Sequence, residues 1–426
     1  MLCGNYILSN RSEWTFYFLS SVQFNFTIGD AKLFIISDTH LIANQLHDNG
    51  SAFQRMRDTS AGKDLDYQEI ALTAFTRKII EDKSTALIIT GDLTFNGELA
   101  SAKKLRSIFS PLKAAGVHLF VVPGNHDIYD GWARKFENEK ELYAQQISPF
   151  DWKAIFPDGY KNTDSAELFY SVNLNSQYHL IFLDSNIYSH QGLTPITNGR
   201  ISSKQLQWLE NDLEKAKKNN QRSLIFMHHN LYDHNQVIHG GYTLDNTSEL
   251  QKLCTKYKVT AVFSGHIHAQ NIVRGNSCST PDIASSCFAM TDQGYGIVDL
   301  SPARFSYQRH SFNMTHYLTD KEKAELPTEN FHQYLAGLFN FTNHTQMSWL
   351  YKAVTDRDEQ TAITQFIDEL NWNFFIGKSN YSEKQKAQFK TNHAYQLIAQ
   401  KLPEMKNYLD SLLAVNQDSW HLDIDF

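Results

Sequence analysis

Five apolar, strand-like runs of this chain end in the same few residue types, and this repetition constrains the fold more than any other feature. Leu33-Phe34-Ile35-Ile36 leads into Asp38-Thr39-His40, Ala86-Leu87-Ile88-Ile89 into Gly91-Asp92, and the run 117–122 into Gly124-Asn125-His126-Asp127. Further on, Leu224-Ile225-Phe226-Met227 meets His228-His229, and Ala261-Val262-Phe263 meets Gly265-His266-Ile267-His268. A sixth run, 179–183, ends at Asp184 and Asn186. Helical patterns at 65–82, 98–115, 202–219 and 247–257 separate the runs, as in a layered α/β domain. Ligands in open α/β sheets gather beyond the carboxyl ends of the strands, so the five clusters are expected to converge on one mouth.

The residue types at that mouth suit metal-assisted chemistry. In extended backbone, positions i and i+2 project to one side, so Asp38 and His40 are expected to reach one metal while Thr39 points away. His266 and His268 repeat the spacing, each serving a different metal of a pair. The two oxygens of Asp92 can bridge cations about 3.5 to 4 Å apart. Asn125 offers a neutral carboxamide oxygen. His126 is placed to protonate a leaving group, and Asp127 either holds that imidazole or braces the loop. Each motif alone has an ordinary explanation, such as a turn Asp or a satisfied His; their recurrence at five strand ends does not.

In chain order these DxH, GD, GNHD, HH and GHxH blocks resemble the calcineurin-like metallophosphoesterase superfamily over approximately residues 30–310. The GNHD form, the HH block, the long insertion after the first motif and the length look most like bacterial class III cyclic nucleotide phosphodiesterases with a helical C-terminal domain. The resemblance implies a four-layer αββα sandwich followed by a small all-helical domain. It also implies that Asp38, His40 and His268 hold one metal, that Asp92 bridges, and that Asn125, His228 and His266 complete the second. The ions would be two divalent or mixed-valence transition metals, drawn from Mn, Fe, Zn and Co. His126 would be the catalytic imidazole, with Asp127 beside it, and His229 would contact substrate or brace His228.

The implied reaction is hydrolysis of a small phosphodiester, 3',5'-cyclic nucleotides being the leading case, by in-line attack of a metal-bridging hydroxide. A phosphomonoesterase, nucleotidase or protein phosphatase is the alternative. The arginines that protein phosphatases carry in these blocks are absent from 91–97 and 124–127, which counts against that option. A scaffold without turnover would be expected to lose ligands, and every expected group is present.

Charge and length set the remaining expectations. A formal charge of -7 argues against long nucleic acids, whose binders are basic. The 426 residues suffice for a catalytic domain of about 300 residues and a smaller unit. The expected division is 1–29 as an irregular extension leading into a first strand, 30–318 as the catalytic domain with a closing hairpin at 295–312, and 319–426 as the helical domain. That last domain shapes the pocket or forms a homo-oligomer contact. No apolar run approaches the length of a membrane span, and the start lacks the features of a signal peptide. The cytoplasm is the expected compartment, with export through an unrecognised signal as the alternative. Of the four cysteines, Cys278 and Cys287 are near enough in sequence to bridge, against a simpler reading as buried thiols. Asn49, in the insertion after His40, is a candidate substrate contact; His234, His239 and Tyr242 are candidate rim residues; Asp184 and Asn186 are candidate supports for the ligands.

Overall fold

The computed structural model describes residues 22–23, 30–160, 167–188, 194–348 and 350–426. The expected extension at 1–29, with Cys3, lies outside the described residues apart from β1 (Val22–Gln23), and so does Trp349. Next come β2 (Ala31–Ile36), α1 (Ser51–Thr59), α2 (Gln68–Glu81), β3 (Ala86–Thr90), α3 (Leu99–Ala114), β4 (His118–Val122), β5 (Arg134–Glu137), β6 (Lys140–Tyr143) and α4 (Pro149–Ile155). They are followed by β7 (Tyr170–Asn173), β8 (Tyr178–Phe182), α5 (Ser203–Lys218), β9 (Arg222–Phe226), α6 (Thr247–Tyr257), β10 (Ala261–Ser264), β11 (Asn271–Val273), β12 (Asp282–Ala284), β13 (Gly294–Leu300) and β14 (Arg304–Ser311). The chain then turns helical through α7 (Asp320–Glu325), α8 (Phe331–Gln346), α9 (Leu350–Ala353), α10 (Arg357–Phe375), α11 (Glu383–Thr391), α12 (His393–Lys401) and α13 (Pro403–Leu413), and returns to strand at β15 (His421–Asp425).

Two sheets face each other. One runs β1-β7-β8-β9-β10-β12-β11 and the other β15-β14-β13-β2-β3-β4; β5 and β6 form a separate hairpin. Strands β2, β3 and β4 are mutually parallel, as are β8, β9 and β10, so the clusters that follow all five motif strands open on one side. Alternation sorts the side chains of each strand between two cores. Leu180, Phe182, Leu224 and Phe226 fill the core shared by the sheets, whereas Ile181, Leu183, Ile225 and Met227 pack with Leu209 and Leu213 of α5 and Leu250 of α6. Tyr170, Phe182, Phe226 and Phe263 stack ring on ring across four strands, at 4.4, 5.0 and 5.0 Å between centroids. With Phe34, Phe75 and Phe109 buried on the opposite side, this is the expected four-layer sandwich.

The helical segment packs directly onto the catalytic sheets. Leu370 and Phe374 of α10, Ile398 of α12 and Leu412 of α13 form a core that also takes in Ile267, the residue between His266 and His268. Residues 382–401 form two helices rather than one, because Asn392 caps α12 by accepting from the Ala394 N–H. Strand β15 pairs antiparallel with β14 and extends the second sheet at its edge. No helix among the described residues is long and apolar enough to cross a membrane. Cys254, Cys278 and Cys287 are buried free thiols, in keeping with the simpler reading.

Candidate metal centre

Left-handed turns follow β2, β3 and β10, and these aim the ligands there. Asp38, His40, Asp92, His266 and His268 all have positive φ, at 54°, 38°, 50°, 67° and 62°. The expectation that Asp38 and His40, and likewise His266 and His268, share a side through extended backbone is therefore corrected. They converge through left-handed turns, a conformation costly for residues with a Cβ and typical of functional sites. The turns are held by their neighbours: the Asp38 N–H donates to Gly91 O, and the His40 N–H to Asp92 O, both at 3.0 Å. Thr39 does point away, its hydroxyl donating to Leu93 O at 2.8 Å.

Two groups of potential ligands result, and they share a carboxylate. Asp38, His40, Asp92 and His268 bring ligand atoms within 4.8 Å of one another, as do Asp92, His228 and His266. Nε2 of His40 lies 3.2 Å from Nε2 of His268 and 3.7 Å from Asp92 Oδ2. His268 Nε2 is 3.3 Å from Asp38 Oδ1, a buried oxygen with no hydrogen-bond partner. Two imidazole nitrogens and an orphaned carboxylate oxygen facing one point suit a divalent cation, which satisfies them together. At the second group His228 Nε2 is 3.4 Å from Asp92 Oδ2 and 3.1 Å from the Asn125 carboxamide oxygen.

The far ring nitrogens orient the imidazoles. His228 Nδ1 lies 2.9 Å from Thr90 O, and His266 Nε2 lies 3.0 Å from Thr197 O. Donation to these carbonyls leaves His228 Nε2 and His266 Nδ1 free to accept a metal. Burial opposes charge on Asp92, but His228, His126 and His40 outweigh it and hold the carboxyl well below its usual range. Burial likewise pulls His228 down, and Asp92 overrides it to push the imidazole up to about 9. A cation bound at His228 would compete with that proton.

Glycines make this closeness possible. A Cβ on Gly91, whose φ is +98°, would fall 2.3 Å from His228 Nδ1, and one on Gly124 would fall 2.2 Å from Asp92 Oδ1.

Not all sequence-predicted residues join the site. His126 does: its backbone N–H donates to Asp92 Oδ1, and its partly exposed ring faces the cleft. Asp127 does not touch that ring. Its carboxylate accepts from the N–H groups of Leu93, Thr94 and Gly124 and from the Thr94 hydroxyl, so it braces the loop. The groups against His126 Nδ1 are Asp130 Oδ2 at 2.9 Å and Asn96 Oδ1 at 3.1 Å, which the sequence reading did not single out. His229 is fully buried, with Nδ1 2.8 Å from the Ser185 hydroxyl and Nε2 2.9 Å from Thr197 O. With both ring nitrogens engaged it supports the carbonyl that orients His266 and has no face for substrate. Asn49 is exposed and accepts from Arg57 Nη2 at 2.9 Å, away from the mouth; residues 59–61 and Lys63 of the same insertion line the cleft instead. His234 is buried against Asp282 at 3.0 Å and His239 is exposed, while Tyr242 faces the cleft. Asn186 steadies the strand exit by donating to Pro123 O, and Asp184 accepts from Asn186 and Tyr188.

Two clusters of nitrogen and oxygen ligands sharing one carboxylate, at the strand ends of an αββα sandwich, define a metal-dependent phosphoesterase. The chain belongs to the calcineurin-like phosphoesterase family, whose model matches residues 31–270. Residues 313–418 match the C-terminal domain of cyclic nucleotide phosphodiesterase. A probable cyclic nucleotide phosphodiesterase of Fibrobacter succinogenes is 25% identical over 215 residues, covering 50% of this chain and 68% of that protein. The 3',5'-cyclic adenosine monophosphate phosphodiesterase CpdA of Vibrio vulnificus is 24% identical over 274 residues, covering 64% and 82%. Among solved structures, a dimetal phosphatase from Danio rerio shares the fold, with a TM-score of 0.50 and 15% identity over 66% of this chain and 96% of that one.

Proposed function

We propose that this chain hydrolyses a small phosphodiester, a 3',5'-cyclic nucleotide being the leading substrate. The observation that carries the reading is Asp92, one carboxylate shared between two ligand clusters at the mouth of the cleft. Asp38, His40 and His268 are assigned to one metal, Asn125, His228 and His266 to the other, and Asp92 to both. Two cations held there, from among Mn, Fe, Zn and Co, would supply Lewis-acid stabilisation of the phosphoryl oxygens and would activate water near neutral pH. His126 stands at the cleft with a proton to give. Burial opposes charge on its ring, but Asp92 and Asp130 raise its pKa, which favours the protonated form that a leaving alkoxide needs. Asp130 and Asn96 set the tilt of that ring, and Asp127 holds the loop that presents it.

The acidic balance of the chain supports a small substrate over a long nucleic acid, and the cytoplasm is its proposed compartment. We divide the chain near residue 318, with the helical segment serving the cleft or a homo-oligomer contact. The assignment is tested with manganese-loaded protein on bis-p-nitrophenyl phosphate and p-nitrophenyl phosphate, beside His126→Ala. Diester preference that collapses in the variant is expected. Preference for the monoester would move the protein to the phosphatases or nucleotidases.

A further inference from the structure

We infer that the helical segment supplies the recognition surface for the organic half of the substrate, and that this surface accepts a flat, uncharged heterocycle held by Asn343. The inference rests on the phosphodiesterase reading above and adds to it which part of the substrate is read, and by what.

The metal cleft opens in two directions on either side of His126. One arm is lined by Lys63, Arg134 and Glu141 with Trp132, a residue 41% exposed. The other, a cavity of about 310 Å³, reaches from Asp92 and Asn125 to the helical segment. Phe339, Thr342 and Asn343 of α8 and Phe375 of α10 line it there, and Tyr242 and Met290 line it too, Met290 packed in one cluster with Phe339. Phe339 and Phe375 meet edge to face at 5.3 Å, which gives the wall a fixed aromatic surface. Tyr242 is held by its packing 5.2 Å from the His266 ring, between metal ligand and wall.

Charge distinguishes the arms. No lysine or arginine lines the second among the described residues, so a further phosphate would sit there without a counter-ion. Apolar and aromatic faces with few polar atoms suit a neutral planar group. Asn343 supplies the polar atoms: its Nδ2 is buried and has no hydrogen-bond partner, the condition of a donor completed by a ligand or an ordered water. A purine or pyrimidine ring carries acceptors for such a donor and a face for the Phe339–Phe375 wall.

The test uses the full-length, metal-loaded protein and titration calorimetry with a nucleoside 5'-monophosphate and with ribose 5-phosphate, for the wild type, Asn343→Leu and Trp132→Leu. Asn343→Leu keeps the branched shape of the side chain and removes the amide; unchanged melting temperatures confirm folding. Expected is tighter wild-type binding of the nucleotide than of the sugar phosphate, with a nucleotide affinity about tenfold weaker in Asn343→Leu and a preserved preference in Trp132→Leu. Equal binding of the two ligands by the wild type, or loss of the preference in Trp132→Leu with none in Asn343→Leu, would overturn the inference. Hydrolysis of bis-p-nitrophenyl phosphate by the same wild-type sample then separates the two readings. Turnover without base preference removes only this inference, whereas absence of turnover removes the phosphodiesterase reading.

Discussion

Nδ1 of His126 lies 2.9 Å from Oδ2 of Asp130, a buried carboxylate in the same loop. This contact fixes the ring and, with Asp92, raises its pKa against the effect of burial. If His126 acts in its protonated form, activity is lost as pH rises through that pKa. In Asp130→Asn the acid-strengthening neutral partner moves this alkaline limb to lower pH and reduces kcat about tenfold or more. A pH–rate profile of kcat checks it; a limb that stays in place would leave Asp130 a structural role only.

Asp92→Asn removes the charge from the shared ligand. The variant is expected to bind fewer than two metal ions per chain by elemental analysis. Its kcat/KM should fall by at least about 100-fold, beyond the effect of groups that only support a ligand. Chelation of the wild type should lower its melting temperature, since ligands bound only to the native state add roughly 2.7 kcal/mol at 100 times Kd.

Gly91→Ala is expected to destabilise the protein by ~1–3 kcal/mol, because the new methyl meets His228 Nδ1 and the backbone keeps a positive φ. Denaturant unfolding measures the loss. Metal affinity should fall with it, because the clash lies on a ligand.

Away from the site, Arg77 of α2 holds Glu322 of α7 through two bonds of 2.8 and 2.9 Å and also donates to Tyr317 O. Hydrogen bonding to Arg77 lowers the Glu322 pKa to about 2. A depressed carboxyl stabilises the fold above its ordinary pKa of about 4.5 and loses that contribution as pH falls through the folded value. Partial exposure of the pair limits the effect to ~1 kcal/mol. Glu322→Gln should therefore be less stable than wild type at pH 7, and the gap should close between pH 4.5 and 2 in thermal melts.

The clustering of Asp38, His40, Asp92, His228, His266 and His268 was readable from the chain because all six directly follow strands, so local pattern and chemistry coincide. The reason given for their convergence was not correct: extended spacing suggests a shared side, but the left-handed turns at Asp38 and His268 come from tertiary hydrogen bonds such as Asp38 N–H to Gly91 O. Asn96, Asp130 and Thr197 escaped notice for a related reason. They sit in loops, and only the assembled fold brings them to an imidazole. Asn49 was overvalued because proximity to a motif in sequence was taken for proximity in space. Strand β15 did leave a trace, the alternation of Leu422 and Ile424 with charged neighbours, but five residues after a helical run are a weak signal.

That strand bears on how the helical segment can move. The segment leaves the sheet after β14 and comes back beside it, where Gln308 pairs with His421 and the Arg309 N–H donates to Trp420 O. A body on a single tether can swivel in any direction. One fastened at two adjacent points keeps one easy rotation, about the line joining them. The helical segment is fastened at further points as well, since its core encloses Ile267 and Phe375 O accepts from the Gln270 N–H, so that rotation is closed to it and Phe339, Asn343 and Phe375 stay beside the ligand clusters.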